Sequence, residues 1–180
     1  MKASVDASRP RKRLILFRHA KSAWPLGVDD FDRPLSGRGR DAAPRMGTFL
    51  EDSRLLPDLA LVSTARRAQE TWELFCRAIK PKIPTRRQRE IYEAGDSSIL
   101  DVIQAVEPEV RTLLVLGHNP GLEDLAVLLM KDDGGNAGQR LREKFPTAAI
   151  AVLTFDVADW RDIRAGSGSL DSFTVPKELA

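Results

Sequence analysis

Short, continuous apolar runs alternate along the chain with longer stretches in which apolar residues recur every three or four positions. The runs at 14–17 (LILF), 59–62 (LALV) and 112–116 (TLLVL) have the length and composition of buried strands. A helical pattern lies downstream of each: Ala42, Met46, Phe49 and Leu50; then Ala68, Trp72, Phe75 and Ile79; then Leu122, Leu125, Ala126 and Leu129. Such spacing gathers apolar side chains on one helix face. The first helix is expected to start near Asp41, which would leave Pro44 in the first turn, where no intrahelical N–H is needed. Pro81 and Pro84 stop the second helix, and a weaker strand is expected at 85–91. Asp96 reads as the cap of a further helix that turns Ile99, Ile103 and Val106 inward. Asn119 and Pro120 read as the cap and first position of the helix after the third run. Gly134, Gly135 and Gly138 suggest a flexible surface loop, 148–155 another strand, and the remainder a shorter, weaker element.

This alternation predicts an α/β fold, a mostly parallel central sheet flanked by helices on both faces, in a single domain. The domain is expected to span residues 14–180, with 1–13 (MKASVDASRPRKR) as a mobile basic N-terminal arm. Residues 18–40 are polar and punctuated by Pro25, Gly27, Pro34, Gly37 and Gly39, so they read as one long loop. Loops of that length in compact domains are functional or disordered.

Composition narrows the function classes. With 42% hydrophobic and 30% charged residues, the chain reads as an ordinary soluble globular protein. Its net charge of +2 is spread among interspersed acids and bases, which argues against nucleic acid as a partner. The single cysteine, Cys76, sits in an apolar helical pattern and reads as a small buried hydrophobe in a reducing compartment. No run approaches the roughly 18 apolar residues of a membrane span, and no apolar leader precedes the first strand, so the expected location is the cytoplasm.

Both of the chain's two histidines end apolar runs. In open α/β sheets, ligands bind beyond the carboxyl ends of the strands. Here three runs end at Arg18-His19, at 63–67 (STARR) and at His118-Asn119, which converge if the strands are parallel. Arginine presents planar donors suited to phosphate, and an imidazole can itself act as a nucleophile. The set therefore suits phosphoryl transfer: His19 attacks phosphorus while Arg18, Arg67 and His118 hold its oxygens. Neighbouring cations disfavour protonation of His19, and the helix start after Asn119 adds N–H donors for an anion. No metal or other cofactor is required. Arg66 reads as a surface charge. In the long loop, Lys21, Asp29, Asp30, Asp32 and Arg33 either form ion pairs that shape the loop or meet a protein substrate; Asp32 and Arg33 are expected to be structural, and Lys21 stays open between the two.

Taken in order, LFRHAKSAWPLGVDDFDRPLSGRGRDAA, LVSTARRAQET and LVLGHNPGLEDLA resemble the histidine phosphatase superfamily (phosphoglycerate mutase-like), and within it the SixA-type phosphohistidine phosphatases. The resemblance runs on through KFPTAAIAVLTF to Phe155. It implies that His19 becomes transiently phosphorylated, that Arg18, Arg67 and His118 bind the phosphoryl group, and that Asn119 lines the pocket. The family motif has glycine where this chain has Ala20. Many members protonate an ester leaving group with a mid-chain acid, for which Glu90 in REIYEAGD is the counterpart and Glu93 the second choice. A phosphoramidate needs such an acid less, because it leaves as a neutral imidazole. The implied function is a metal-independent phosphatase acting on a histidine phosphotransfer domain of a signalling relay. The alternatives are an esterase for phosphoserine, phosphothreonine or a small phosphate ester, and a non-catalytic phosphate-binding module.

Overall fold

Six strands form one sheet: β1 (Lys12–Arg18), β2 (Leu59–Ser63), β3 (Thr85–Gln88), β4 (Thr112–Gly117), β5 (Ile150–Phe155) and β6 (Gly168–Thr174). In the computed structural model, which describes residues 10–132 and 135–179, their order is β3-β2-β4-β1-β5-β6. The β3–β2, β2–β4 and β4–β1 pairs are parallel, while β5 and β6 join antiparallel. The helices are α1 (Gly37–Asp52), α2 (Arg66–Arg77), α3 (Asp96–Gln104), α4 (Gly121–Leu129) and α5 (Gly135–Glu143).

The uninterrupted apolar runs are explained by cover on both faces, because alternate residues of a strand point to opposite sides. On one side, Ile15 and Phe17 of β1 pack with Met46, Leu50, Ala68 and Phe75 from α1 and α2. On the other, Leu14 and Leu16 join Ile99, Ile103, Leu122, Leu125, Leu141 and Trp160. Each of these side chains is essentially inaccessible to water. The parallel strands β1, β2 and β4 thus end at one edge, carrying Arg18, Ser63 and Gly117 to it.

Several expectations need correction. α1 starts at Gly37, not near Asp41, because Ser36 caps it: the Ser36 hydroxyl accepts from Gly39 N at 3.2 Å. Pro44 therefore lies inside the helix, where it removes one backbone hydrogen bond. The carbonyl so freed belongs to Arg40, an exposed residue, and water can take it. Gly39 is needed there for close approach. A Cβ on it would meet the Lys21 carbonyl oxygen at 2.1 Å, and that same oxygen accepts from the Ser36 N–H and hydroxyl. The long loop is thereby tied down two residues past His19.

Asp96 occupies the first position of α3, with Gly95 as cap, and its carboxylate accepts from Ser97 N at 2.8 Å. Pro120, not Asn119, takes the cap position of α4. Gly135 and Gly138 belong to α5 rather than to a loop, Gly138 being buried in the packing; Gly134 lies outside the described residues. Lys12 and Arg13, assigned above to the arm, are part of β1, and the Lys12 ammonium donates to the carbonyls of Val110, at 2.9 Å, and Pro108. Residues 1–9 lie outside the described residues. Cys76 is half-buried, and burial pushes its thiol up to about 11. Among the described residues, no helix is long and apolar enough to cross a membrane.

Candidate active site

The convergence expected at the strand ends is present. His19 follows β1, and its N–H donates to the Gly117 carbonyl of β4 at 3.0 Å. The next N–H, of Ala20, donates to Thr71 Oγ1 at 3.0 Å, and that hydroxyl donates to the Arg67 carbonyl at 2.6 Å. These bonds therefore tie the position of His19 to both β4 and α2. Arg67 stands in the first turn of α2, directly after β2, and His118 follows β4. The two imidazole centroids are 5.1 Å apart, and His19, Arg67 and His118 are each less than 10% exposed.

A main-chain hydrogen bond assigns the tautomer of His19. His19 Nδ1 lies 2.8 Å from the Ala20 carbonyl, which can only accept, so Nδ1 carries the proton and Nε2 keeps its lone pair. Arg67 Nε donates toward that Nε2 at 3.4 Å. His118 Nε2 lies 2.7 Å from the Ser63 hydroxyl, and its Nδ1 is buried without a protein partner. The Ser63 hydroxyl can donate to Nε2 or accept from it; when it donates, the His118 Nδ1 carries the proton and is a donor without a protein partner.

Burial, with the neighbouring His118, Arg67 and Arg18, holds His19 well below the ordinary histidine value, and burial with Arg67 takes His118 down to about 3. Both rings are neutral at physiological pH. With only two histidines in the chain, NMR can follow each directly. Neither ring is expected to titrate near pH 6.5, where unfolded histidine does. The unfolded chain then binds more protons below about pH 6.5, so this pair lowers folding stability as pH falls through that value. An ordinary imidazole titration near 6.5 in the folded protein would contradict the site's electrostatics.

Arg67 is held from its far side by Asp30, through Nη1 to the Asp30 carbonyl at 2.6 Å and Nη2 to Oδ2 at 3.1 Å. Tyr92 donates to the same Oδ2 at 2.8 Å, and its ring stands edge-on to His118 with centroids 5.6 Å apart. Partial burial opposes ionisation of Asp30, but hydrogen bonds from Arg33, Tyr92 and Arg67 outweigh it and hold the carboxyl at about 2. Arg33 pairs with Asp30 at 2.8 Å, not with its neighbour Asp32, because Asp30 sits a turn away on the inner side of the loop. Arg66 is exposed and pairs with Glu70, as a surface charge would.

Arg18 Nη1 donates to the Phe145 carbonyl at 2.7 Å, leaving its Nε buried and unpartnered. Asn119 does not present phosphate donors: its amide donates to Glu123 Oε2 at 2.8 Å and to the same Phe145 carbonyl at 3.1 Å. It acts on the scaffold beside Arg18. These groups line a cleft of about 400 Å³ that also takes in Lys21, Trp24, Asp30, Tyr92 and Glu93. Glu90 is exposed and is not part of that lining; Glu93, the second choice, is. Tyr92, Ser63 and Thr71 were assigned no role from sequence. Tyr92 alone left a signal, as the chain's single tyrosine within REIYEAGD.

The family profile described as histidine phosphatase superfamily (branch 1) matches residues 14–104, which carry Arg18, His19 and Arg67. The chain belongs to the histidine phosphatase superfamily. It is therefore a phosphatase. An uncharacterized protein of Mycobacterium tuberculosis is 40% identical over 162 residues, 89% of this chain and 99% of its own length. Among solved structures, a protein from Nakamurella multipartitia with a provisional assignment as phosphohistidine phosphatase SixA superposes with a TM-score of 0.81 at 28% identity, covering 92% of this chain and 96% of its own. The protein histidine phosphatase SixA complexed with tungstate superposes at 0.75 with 25% identity, covering 93% and 99%.

Proposed function

We propose that this phosphatase removes phosphate from a phosphohistidine carried on a histidine phosphotransfer domain of a cytoplasmic signalling relay, through a phosphorylated His19. In the first step His19 Nε2 attacks phosphorus in line. A P–N bond to Nε2 forms while the substrate's P–N bond breaks, and its electron pair goes to the leaving imidazole, which carries a proton on its other nitrogen and departs neutral. Water then attacks the phosphoryl group on His19, the electron pair returns to Nε2, and inorganic phosphate leaves. Arg18, Arg67 and the His118 Nδ1–H stabilise the equatorial oxygens in both steps.

The observation that carries this reading is geometric: His19 Nδ1 is committed to the Ala20 carbonyl, which leaves Nε2 unprotonated beside Arg67, and Glu90 lies outside the cleft lining. The carboxylate in contact with Arg67 is held at about 2, so it stays ionised and has no proton to give a leaving group. A leaving group that brings its own proton suits such a site. The similarity to SixA proteins supports the same substrate class.

The test is phosphate release from a phosphohistidine-bearing phosphotransfer domain and from a phosphoserine peptide, side by side. Faster release from the first is expected, and preference for the second would overturn the substrate. Because Glu93 lines the cleft, the ester reading keeps one specific candidate acid. Glu93→Gln and Glu90→Gln are each expected to change phosphohistidine turnover less than about threefold. An ester hydrolase dependent on either acid would lose about 10²–10⁴-fold.

A further inference from the structure

Among the described residues, the exposed large apolar side chains include Trp24 at 73%, Leu26 at 101% and Val28 at 38%, all within one short stretch of the loop between β1 and α1. Isolated exposed apolar residues are ordinary, but a cluster on the rim of a polar site marks an interaction surface. Trp24 lines the cleft that holds His19.

The stretch is braced. The Arg33 guanidinium lies 3.2 Å from the Trp24 ring centroid. Arg33 is itself buried and held by Asp30 Oδ1 at 2.8 Å, the Ala23 carbonyl at 3.1 Å and the Ser22 hydroxyl. Ala23 N donates to the Pro34 carbonyl at 2.9 Å, closing the base of the loop. Gly27, at φ +73°, makes the reversal that puts Leu26 at the tip.

We infer that Trp24, Leu26 and Val28 form a docking ridge for the protein that carries the phosphate, and that this partner presents an apolar patch beside its phosphorylated side chain. This rests on the proposed function. The ridge is continuous with the cleft: Trp24 belongs to both, so a phosphate seated against His19 brings its carrier onto the loop. Leu26 lies outside the cleft lining, where a small phosphate does not reach it. Asp29 and Asp32 are exposed next to the ridge and complement basic residues at the border of the patch.

The experiment compares wild type with Leu26→Asp on two substrates, a chemically phosphorylated phosphotransfer domain and phosphoimidazole. The variant is expected to lose about tenfold or more in kcat/KM on the domain, carried by KM, since a charge replaces an exposed leucine that docking would bury. Turnover of phosphoimidazole is expected to be unchanged. Equal losses on both substrates, or no loss on the domain, would each overturn the ridge, as would a wild-type enzyme that cleaves phosphoimidazole but not the domain. If wild type cleaves neither, the proposed substrate falls, and the ridge is judged without turnover. Trp72 and Trp160 are buried, so the emission of Trp24 can be followed on adding a tryptophan-free phosphotransfer domain. A blue shift that Leu26→Asp removes supports the ridge, and an unchanged spectrum overturns it.

Discussion

Replacing His19 with alanine is expected to abolish phosphate release, a loss of about 10⁴-fold or more, as for the nucleophile of a concerted site. The proposed chemistry passes through a bond to His19 Nε2, the imidazole nitrogen left unprotonated because Nδ1 is committed to the Ala20 carbonyl. His118 cannot substitute. Its Nε2 is occupied by the Ser63 hydroxyl, and its ring centroid is 5.1 Å from that of His19. Rapid acid-free quenching of wild type with a radiolabelled phosphohistidine domain should trap acid-labile, alkali-stable label on the enzyme, and the variant should show none. Label persisting in His19→Ala would move the nucleophile elsewhere and remove the mechanism.

Arg67→Ala is expected to cost about 10²–10³-fold in turnover, the usual loss for one preorganised donor. Arg67→Lys should recover only part of it. The guanidinium faces His19 through Nε while Nη1 and Nη2 are held by Asp30, an arrangement a single ammonium cannot reproduce. Steady-state rates of the three proteins on one substrate decide the matter. A lysine variant equal to wild type would mean that charge alone is needed, and that the bracing by Asp30 has no part in the rate.

The legible parts of the fold and site were those specified locally. LILF, LALV and TLLVL are buried on both faces, so their apolar character is continuous, and the residues that end them fall at the sheet edge by topology alone. His19, Arg67 and His118 were found together for that reason. Asp30 and Tyr92 were not, because their roles depend on contacts across 37 and 62 residues of chain. Asn119 does line the cleft, but the Phe145 carbonyl and Glu123 that take its amide are invisible to a motif. Gly135 and Gly138 read as loop because glycine is a poor helix former, yet tertiary packing of Gly138 and Leu141 overrides propensity in α5. At the other end of the sheet, β6 (GSLDSFT) is a half-buried edge strand whose apolar positions are too few to announce it.

Position 20 shows how a signature letter can drift while a site endures. The amide of Ala20 serves Thr71 and the carbonyl receives the His19 ring, and these are backbone duties that any residue of ordinary torsion can perform. Ala20 is absent from the positive-φ residues, so the licence that glycine offers is unused. Its methyl group is fully buried in the cluster that includes Phe17, Met46 and Phe75. A glycine at that place would forfeit this packing and gain only disorder in the unfolded chain. A pattern that required glycine at this position would miss this chain, although the main-chain bonds made at position 20 are all present.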